Sequence, residues 1–338
     1  MNVLVTGGCG FIGQELVQQL VDRYGASAVW VLDDRTRAAT GWYRVQELGV
    51  RLERGTVQDA ELVHRMLQLQ VPDVVIHCAA QSHVDFSLQE PSATWMANAI
   101  GTQVVAEACT VWGVPLVYCS TDEVYGSTPV DEDGKTKQVR EDAPLNPSSP
   151  YSASKAAGEH AVRAMGHSAG LQYAITRGSN AWGPHQLGEK LVPLACALLQ
   201  QGSAVPLHGG GHQLRQWVHV AEFADALHTV ASALTVGKGA GQTFNIAGPE
   251  LLSVRELVLA LAAQAGVPEE KAVWSSEDRP GQDEAYHVSG GAMHRTLGWR
   301  ARRKISSKAE MKALLEHYAE TNTTALVAEY VSAPRTTA

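Results

Sequence analysis

Short apolar runs alternate with amphipathic stretches through the first half of the chain. Val3-Leu4-Val5, Ala28 to Leu32, Val74-Val75-Ile76, Leu116-Val117-Tyr118 and Tyr173-Ala174-Ile175 are apolar without a polar alternate. That is the pattern of strands buried on both faces. Between the first two runs, Leu16, Val17, Leu20 and Val21 recur at helical spacing. Further helices are predicted over about Asn98 to Ala108 and about Tyr151 to Met165. Strand and helix alternating through short connections predict an α/β fold: a Rossmann-type, doubly wound parallel sheet with helices on both faces. Each polar cluster follows a strand, at the edge where open α/β sheets bind ligands.

Beyond Arg177 the rhythm changes, and Pro184, Gly188, Pro193 and Gly209 to Gly211 break up the chain. One more amphipathic helix is expected over Ser253 to Ala265, started by Ser253. The expected organisation is a nucleotide-binding domain over 1–178, with return segments near 215–246. A smaller mixed substrate-binding lobe follows over 179–330, then a disordered tail over 331–338. There is no internal repeat.

Composition narrows the function classes. The net charge of -8 argues against nucleic acid as a partner, since phosphate backbones select a basic face. The five cysteines, at 9, 78, 109, 119 and 196, form no Cys-x-x-Cys pair. They are expected to be reduced, mostly buried thiols rather than zinc ligands, so no metal is expected. No apolar run reaches the roughly 18 residues of a membrane span. The chain opens directly on a strand pattern, so no signal peptide and a cytoplasmic location are expected.

The first polar cluster is a loop, Thr6-Gly7-Gly8-Cys9-Gly10-Phe11-Ile12-Gly13. Gly7 permits the tight turn, Gly10 lets a pyrophosphate approach the backbone, and Gly13 lets the helix pack on the strand. Asp33 follows about 20 residues later, the spacing for an acid on the adenosine ribose, which predicts dinucleotide binding. The acid favours NAD, while Arg35 and Arg37 leave NADP open. Further on, Tyr151 and Lys155 stand at i and i+4, on one helix face. A lysine and an oxidised nicotinamide beside a phenol favour its phenolate, which can take a proton from a carbinol. Ser120-Thr121-Asp122-Glu123 also follows a strand, and two adjacent carboxyl groups with separated pKa values supply an acid and a base together. Each of these motifs alone is equally an ordinary turn, helix start or solvated loop.

Together they resemble the extended short-chain dehydrogenase/reductases, from the Thr-Gly-x-x-Gly-x-x-Gly loop to about Trp299. Within them, the Thr-Asp-Glu triplet is similar to that of nucleotide-sugar 4,6-dehydratases. So are Cys78-Ala79-Ala80-Gln81-Ser82-His83-Val84-Asp85, Gly183-Pro184-His185-Gln186, Glu189 to Pro193, Arg215-Gln216-Trp217 and Asp278-Arg279-Pro280-Gly281. The resemblance implies an NAD-dependent lyase acting on a sugar nucleotide or related nucleoside-type sugar. Tyr151, with Lys155, would remove the C4 hydroxyl proton and Thr121 would bind the C4 oxygen. Glu123 would take the C5 proton and Asp122 would protonate the departing C6 hydroxyl. Gly7, Gly10, Phe11, Ile12, Gly13, Asp33, Asp34, Val57, Ala79 and Ala80 would hold NAD, together with Tyr151 and Lys155. Ser82, Thr121, Asn180, Lys190, Leu191, Arg215 and Arg279 would hold the substrate, and the protein would be a homodimer.

The departures from the family pattern lie mostly on the substrate side. Gln81 stands for a glutamate, Phe86 for an arginine, Ala181 for an asparagine, Gln282 for a histidine, and Glu284-Ala285 for an arginine pair. Glu250 lies near an expected asparagine. Gly55-Thr56-Val57 lacks the aspartate that commonly contacts adenine. These changes predict retained dehydration chemistry on an unusual substrate. An epimerase or decarboxylase of the same fold is the first alternative, though 4-epimerisation has no use for the two acids. A non-catalytic NAD-binding regulator is the second, but it would have no need to keep Tyr151 and Lys155.

Overall fold

The structure, a computed structural model, describes residues 1–36, 38–277 and 283–320. In chain order the first part comprises β1 (Val3–Thr6), α1 (Phe11–Tyr24), β2 (Val29–Asp33), α2 (Trp42–Glu47), β3 (Arg51–Arg54), α3 (Ala60–Gln70) and β4 (Val74–His77). Then come α4 (Val84–Gln89), α5 (Pro91–Trp95), α6 (Gly101–Trp112), β5 (Leu116–Thr121), α7 (Pro150–Ala169) and β6 (Tyr173–Gly178). The second part comprises β7 (Asn180–Trp182), α8 (Leu191–Gln200), β8 (Val205–His208), β9 (Leu214–His219), α9 (Val220–Leu234), β10 (Thr243–Ile246), β11 (Glu250–Ser253) and α10 (Val254–Ala265). It ends with α11 (Glu269–Ala272), β12 (Val273–Ser276), β13 (Ala285–Tyr286), α12 (Gly291–Leu297) and α13 (Lys308–Glu320).

Seven strands form one parallel sheet in the order β10-β6-β5-β4-β1-β2-β3. The order reverses between β1 and β4, and such a switch point opens a crevice at the carboxyl ends of the strands. Alternation along β1 supplies both faces. Val3 and Val5 join Leu16, Leu20, Phe223 and Leu227 in one core layer under α1 and α9. Leu4 joins Leu62, Met66, Val105 and Val162 in the other, under α3, α6 and α7.

β10 comes from far along the chain to close the sheet edge beside β6, and α9 packs on α1. α12 packs on β10 and α9, and most of the other elements form a separate layer. β9 pairs with β11, β13 and β7, β8 pairs with β12, and α8, α10 and α13 enclose a second core around Trp182, Leu198, Leu261 and Tyr318.

The predicted strands are present, each within a few residues of its apolar run. The helix expected from Tyr151 to Met165 continues to Ala169, where Gly170 at φ 75° ends it. α10 is capped by Ser253, whose side chain accepts from Glu256 N at 3.0 Å while Glu256 returns a bond to Ser253 N. β3, an Arg-Leu-Glu-Arg edge strand, carries no apolar run, and α13, which the sequence reading did not single out, buries Met311, Leu314, Leu315 and Tyr318 at helical spacing against α8 and α10. The expected helix over Asn98 to Ala108 begins inside a wide π-turn, Met96–Ile100, and runs on to Trp112. The proposed tail over 331–338 lies outside the described residues.

Candidate functional site

A cleft of about 470 Å³ runs along the carboxyl ends of the strands, within the range of small-molecule sites. One wall is backbone. Gly7, at φ 69°, sits so close to the β4 turn that a Cβ would lie 2.5 Å from Ala79 N. A Cβ on Gly13 would lie 2.1 Å from Gly7 O. Gly10 caps α1 with no side chain, leaving the first-turn N–H groups of Phe11 and Ile12 toward the cleft. The carboxylate of Asp33 accepts from Cys9 N and Arg35 N, both at 2.9 Å, so it also braces the glycine loop. Burial pushes this carboxyl upward, and those two bonds oppose the shift. Asp34 is exposed and accepts from Thr36 N at 3.1 Å. Val57, Ala79 and Ala80 complete the apolar part of this wall.

The other wall is made of ionisable side chains. β5 ends at Thr121, whose hydroxyl accepts from Glu123 N at 3.3 Å and so starts a tight turn over Asp122–Tyr125. Across from it, α7 starts at a capping box. Ser149 Oγ accepts from Ser152 N at 3.1 Å, Ser149 N donates to Ser152 Oγ at 3.0 Å, and Pro150 takes the first helical position. The box fixes the first turn, which carries Tyr151; Lys155 follows one turn on. The Thr121 hydroxyl acts on the Tyr151 phenol, easing its ionisation against burial. Lys155 Nζ donates to Cys119 O at 2.7 Å and lies 4.3 Å from the Tyr118 ring centroid.

The electrostatics separate these groups. Burial, then the negative charge of Glu123, pushes Asp122 up to about 8, with Arg215 opposing. Asp122 is therefore a neutral acid at pH 7, and its Oδ2 is buried without a hydrogen-bond partner. Tyr151 is pushed well above the usual phenol range, by burial first and Glu123 next. The expected base at Tyr151 needs the lysine and an oxidised nicotinamide together; in the protein by itself the Lys155 ammonium is engaged at the Cys119 carbonyl and burial holds the phenol neutral.

Buried groups behind the reactive ones fix their positions. Ser120 Oγ donates to Glu159 Oε1 at 2.7 Å, and Arg177 forks onto the same carboxylate at 2.7 to 3.2 Å. This clamp joins the end of β5 to α7 through β6. Asn98, in the π-turn, holds Gln81 N at 2.7 Å and Gln81 O at 3.0 Å and donates to Ser154 Oγ at 2.9 Å. His77 is held neutral by burial, at about 3, between Thr6 and Thr102.

The substrate-side residues are less concentrated. Ser82, Asn180 and Lys190 line the cleft, and Lys190 Nζ donates to Ser82 O at 3.3 Å. Leu191 opens α8 behind Lys190 and does not line it. Arg215 stands back from the cleft lining. Its guanidinium stacks 4.3 Å from the Tyr286 ring centroid and donates to Leu214 O and Asp283 O, while its charge reaches Asp122. Arg279 lies outside the described residues, as does Gln282. Gln186, quoted in the sequence only as part of a family-like segment, lines the cleft, as do Leu187 and Phe223, which were not singled out. Phe223 sits in an apolar helix stripe that reads as plain core, and the other two lie in an irregular loop with no periodic signal.

A glycine-cradled crevice at the switch point, facing a Tyr-x-x-x-Lys helix and a Thr-Asp-Glu turn, defines a nucleotide-dependent enzyme of the short-chain dehydrogenase/reductase type. The chain belongs to the NAD dependent epimerase/dehydratase family, whose pattern matches residues 3–247. It is 36% identical over 331 residues to dTDP-glucose 4,6-dehydratase 1 of Escherichia coli K12, covering 91% of this chain and 90% of that one. It is 41% identical over 308 residues to the dTDP-glucose 4,6-dehydratase of Streptomyces griseus, covering 88% of each. Among solved structures it is similar to the Streptomyces venezuelae dTDP-glucose 4,6-dehydratase with NAD bound. That likeness has a TM-score of 0.85 at 36% identity and covers 96% of this chain and 98% of that one. It also resembles the UDP-glucose 4-epimerase of Thermotoga maritima, with a TM-score of 0.84 at 26% identity, covering 95% and 99%.

Proposed function

We propose that the protein is an NAD-dependent lyase that dehydrates a nucleotide sugar across C5 and C6. The observation that carries this reading is the pair Asp122 and Glu123. Two adjacent acids, one neutral and buried, stand in one cleft with Thr121 and Tyr151. NAD fits the glycine cradle, where added Cβ atoms would clash, and when bound it would supply the hydride acceptor for C4 and the donor for C6.

The residues then divide the proton work. Tyr151 takes the C4 hydroxyl proton, once positive charge in the cleft offsets the burial that holds its phenol neutral. Thr121 keeps the C4 oxygen in line. The ketone formed at C4 acidifies C5–H, which Glu123 removes. Asp122, already protonated at pH 7, gives its proton to the C6 hydroxyl as water departs. Arg279 and, through its charge, Arg215 are assigned to the diphosphate, Asn180, Ser82 and Lys190 to the nucleotide sugar, with Leu191 fixing Lys190 at the start of α8, and Lys155 to the nicotinamide ribose and Tyr151.

Relatives named for dTDP-glucose support a nucleoside diphosphate hexose, but the lining argues for a different member of that class. Phe86 makes the wall apolar where an arginine is common, and Gln81 is held through its backbone by Asn98. The Glu250 carboxylate is turned onto Ser306. The test is incubation with NAD and a panel of dTDP-, UDP-, GDP- and CDP-hexoses, read by mass spectrometry. A product lighter by one water, lost in Tyr151→Phe and Glu123→Gln, is expected. Mass-neutral conversion of a hexose would instead make it an epimerase.

On the same reading the protein is assigned to the cytoplasm, as a homodimer. Trp95, Met96 and Ile100 are 42 to 47% exposed on the α5–α6 segment, beside α7. An apolar row of that kind fits a second copy of the chain across a two-fold axis. Sedimentation of Trp95→Glu as a monomer, against a dimeric parent, checks it.

A further inference from the structure

The described thiols are of two kinds. Cys9, Cys109 and Cys196 are buried apart, and burial pushes each upward. Cys78 and Cys119 stand together. β4 and β5 run parallel with His77 opposite Tyr118, so the next residues, Cys78 and Cys119, are neighbours. The His77 and Tyr118 rings lie 5.6 Å apart on one sheet face. Strand alternation sends both thiols to the other face, where they join one apolar cluster and each acts on the other's proton affinity. Adjacent strands are about 4.8 Å apart, inside the Cα separation of about 4.4–6.8 Å that a disulfide spans. Both residues line the cleft, Cys78 half-buried and Cys119 9% exposed.

We propose that Cys78 and Cys119 are a peroxide-responsive dithiol in the cleft, which closes to a disulfide when no dinucleotide covers it. Its neighbour Cys119 and burial hold the Cys78 thiol well above the usual range, whereas Cys78 first and the Lys155 ammonium next lower the Cys119 thiol, so Cys119 is the nucleophile and Cys78 the proton-bearing partner. Cys119 Sγ⁻ attacks one oxygen of hydrogen peroxide. The O–O bond breaks, the sulfur becomes a sulfenic acid, and the other oxygen leaves as water after taking a proton. Cys78 Sγ then attacks the Cys119 sulfur. The S–S bond forms and the sulfenic oxygen departs as a second water with the Cys78 proton. Two electrons pass from the two sulfurs to the peroxide. Because Cys119 O holds Lys155 and Thr121 is two residues on, the bridge ties the reactive end of β5 to β4.

The test treats the full-length protein with hydrogen peroxide, with and without NAD, and maps its peptides. No lysine or arginine separates Cys78 from Cys119, and Cys109 lies between them. Cleavage is therefore at acidic and aromatic residues. A linked 78–119 peptide, two hydrogens lighter and restored by dithiothreitol, is expected. Its formation is expected to slow about tenfold with NAD at about ten times its Kd. Cys78→Ser should leave Cys119 as a sulfenic acid trapped by dimedone. Oxidation confined to the other cysteines, or a cross-link through Cys109, would overturn the assignment. Equal cross-linking rates with and without saturating NAD would overturn its place in the cofactor site. The cross-link in NAD-free protein is independent of which reaction the cleft performs.

Discussion

On the cofactor side of the cleft the protein presents almost no functional side chains. Gly7, Gly10, Gly13, Ala79 and Ala80 form that side, and its chemistry is shape and backbone N–H groups. On the reaction side, Asp122, Glu123, Tyr151 and Lys155 crowd together, and their properties come from burial and from one another. The first side is defined by what is missing and the second by what is kept from water. Substitutions should therefore damage them in different ways: by occlusion on one, by altered proton affinity on the other.

Removing a proton acceptor is expected to have the largest effect. Tyr151→Phe should lower turnover by about 10²–10⁴ while leaving NAD affinity, measured by calorimetry, within a few-fold. Loss of NAD binding in that variant would break the division between the two walls. Glu123→Gln should lower water loss about a hundredfold but still permit the C4 oxidation. Absorbance of reduced nicotinamide should then accumulate on mixing with substrate, and its absence would place Glu123 before the hydride step. Gly13→Ala should act on the opposite wall. Its Cβ would be 2.1 Å from Gly7 O, and such overpacking costs about 1–3 kcal/mol, read as a weaker Kd for NAD and a lower Tm.

The pH dependence is a finer test. Asp122 has a folded-state pKa of about 8 against an ordinary carboxyl value of 3.8. Its proton favours folding. That contribution is complete below the ordinary value and is lost as pH rises through about 8. Elimination should fall over the same upper range, as the acid loses its proton. Asp122→Asn cannot ionise, so its denaturant midpoint should gain on the parent's between pH 4 and 8, and equal slopes would refute the assignment. Ser120→Ala should have the smallest effect, about 1 kcal/mol of stability for one lost hydrogen bond to Glu159.

The cofactor wall was legible because its requirements are local. Glycine spacing, the following helix and Asp33 lie within one strand-turn-helix-strand unit. Tyr151 and Lys155 were legible for the same reason, being one turn apart on one helix. What those residues do electrostatically was legible only in part: adjacency with Glu123 predicts that one of the two acids is protonated, and the resemblance makes it Asp122. The burial that raises Asp122, the opposing charge of Arg215 from β9, and the turn of Lys155 to Cys119 O depend on neighbours that no window of sequence contains. The substrate side was read largely through resemblance, and its irregular loops gave no periodicity to check that reading. Arg215 shows the consequence: it was expected at the diphosphate, and in the structure it is stacked on Tyr286 and reaches the cleft through its charge. β3 escaped notice because an edge strand tolerates arginines at both ends.

The π-turn at Met96–Ile100 makes length a property of the site. A wide turn carries one more residue than the surrounding helix needs, and it survives where neighbours require that extra residue. Here the requirement is Asn98, which touches the Gln81 backbone and α7 together. Deleting one residue of the turn would restore ordinary helical spacing with α5 and α6 still in phase, because the wide turn absorbs its extra residue locally. Trp95 would keep its outer row, but Asn98 would leave Gln81 and Ser154, and no substitution elsewhere on the helix could restore that contact. Homologous chains should therefore vary freely in the residues flanking this turn yet keep the spacing between the two helices it joins.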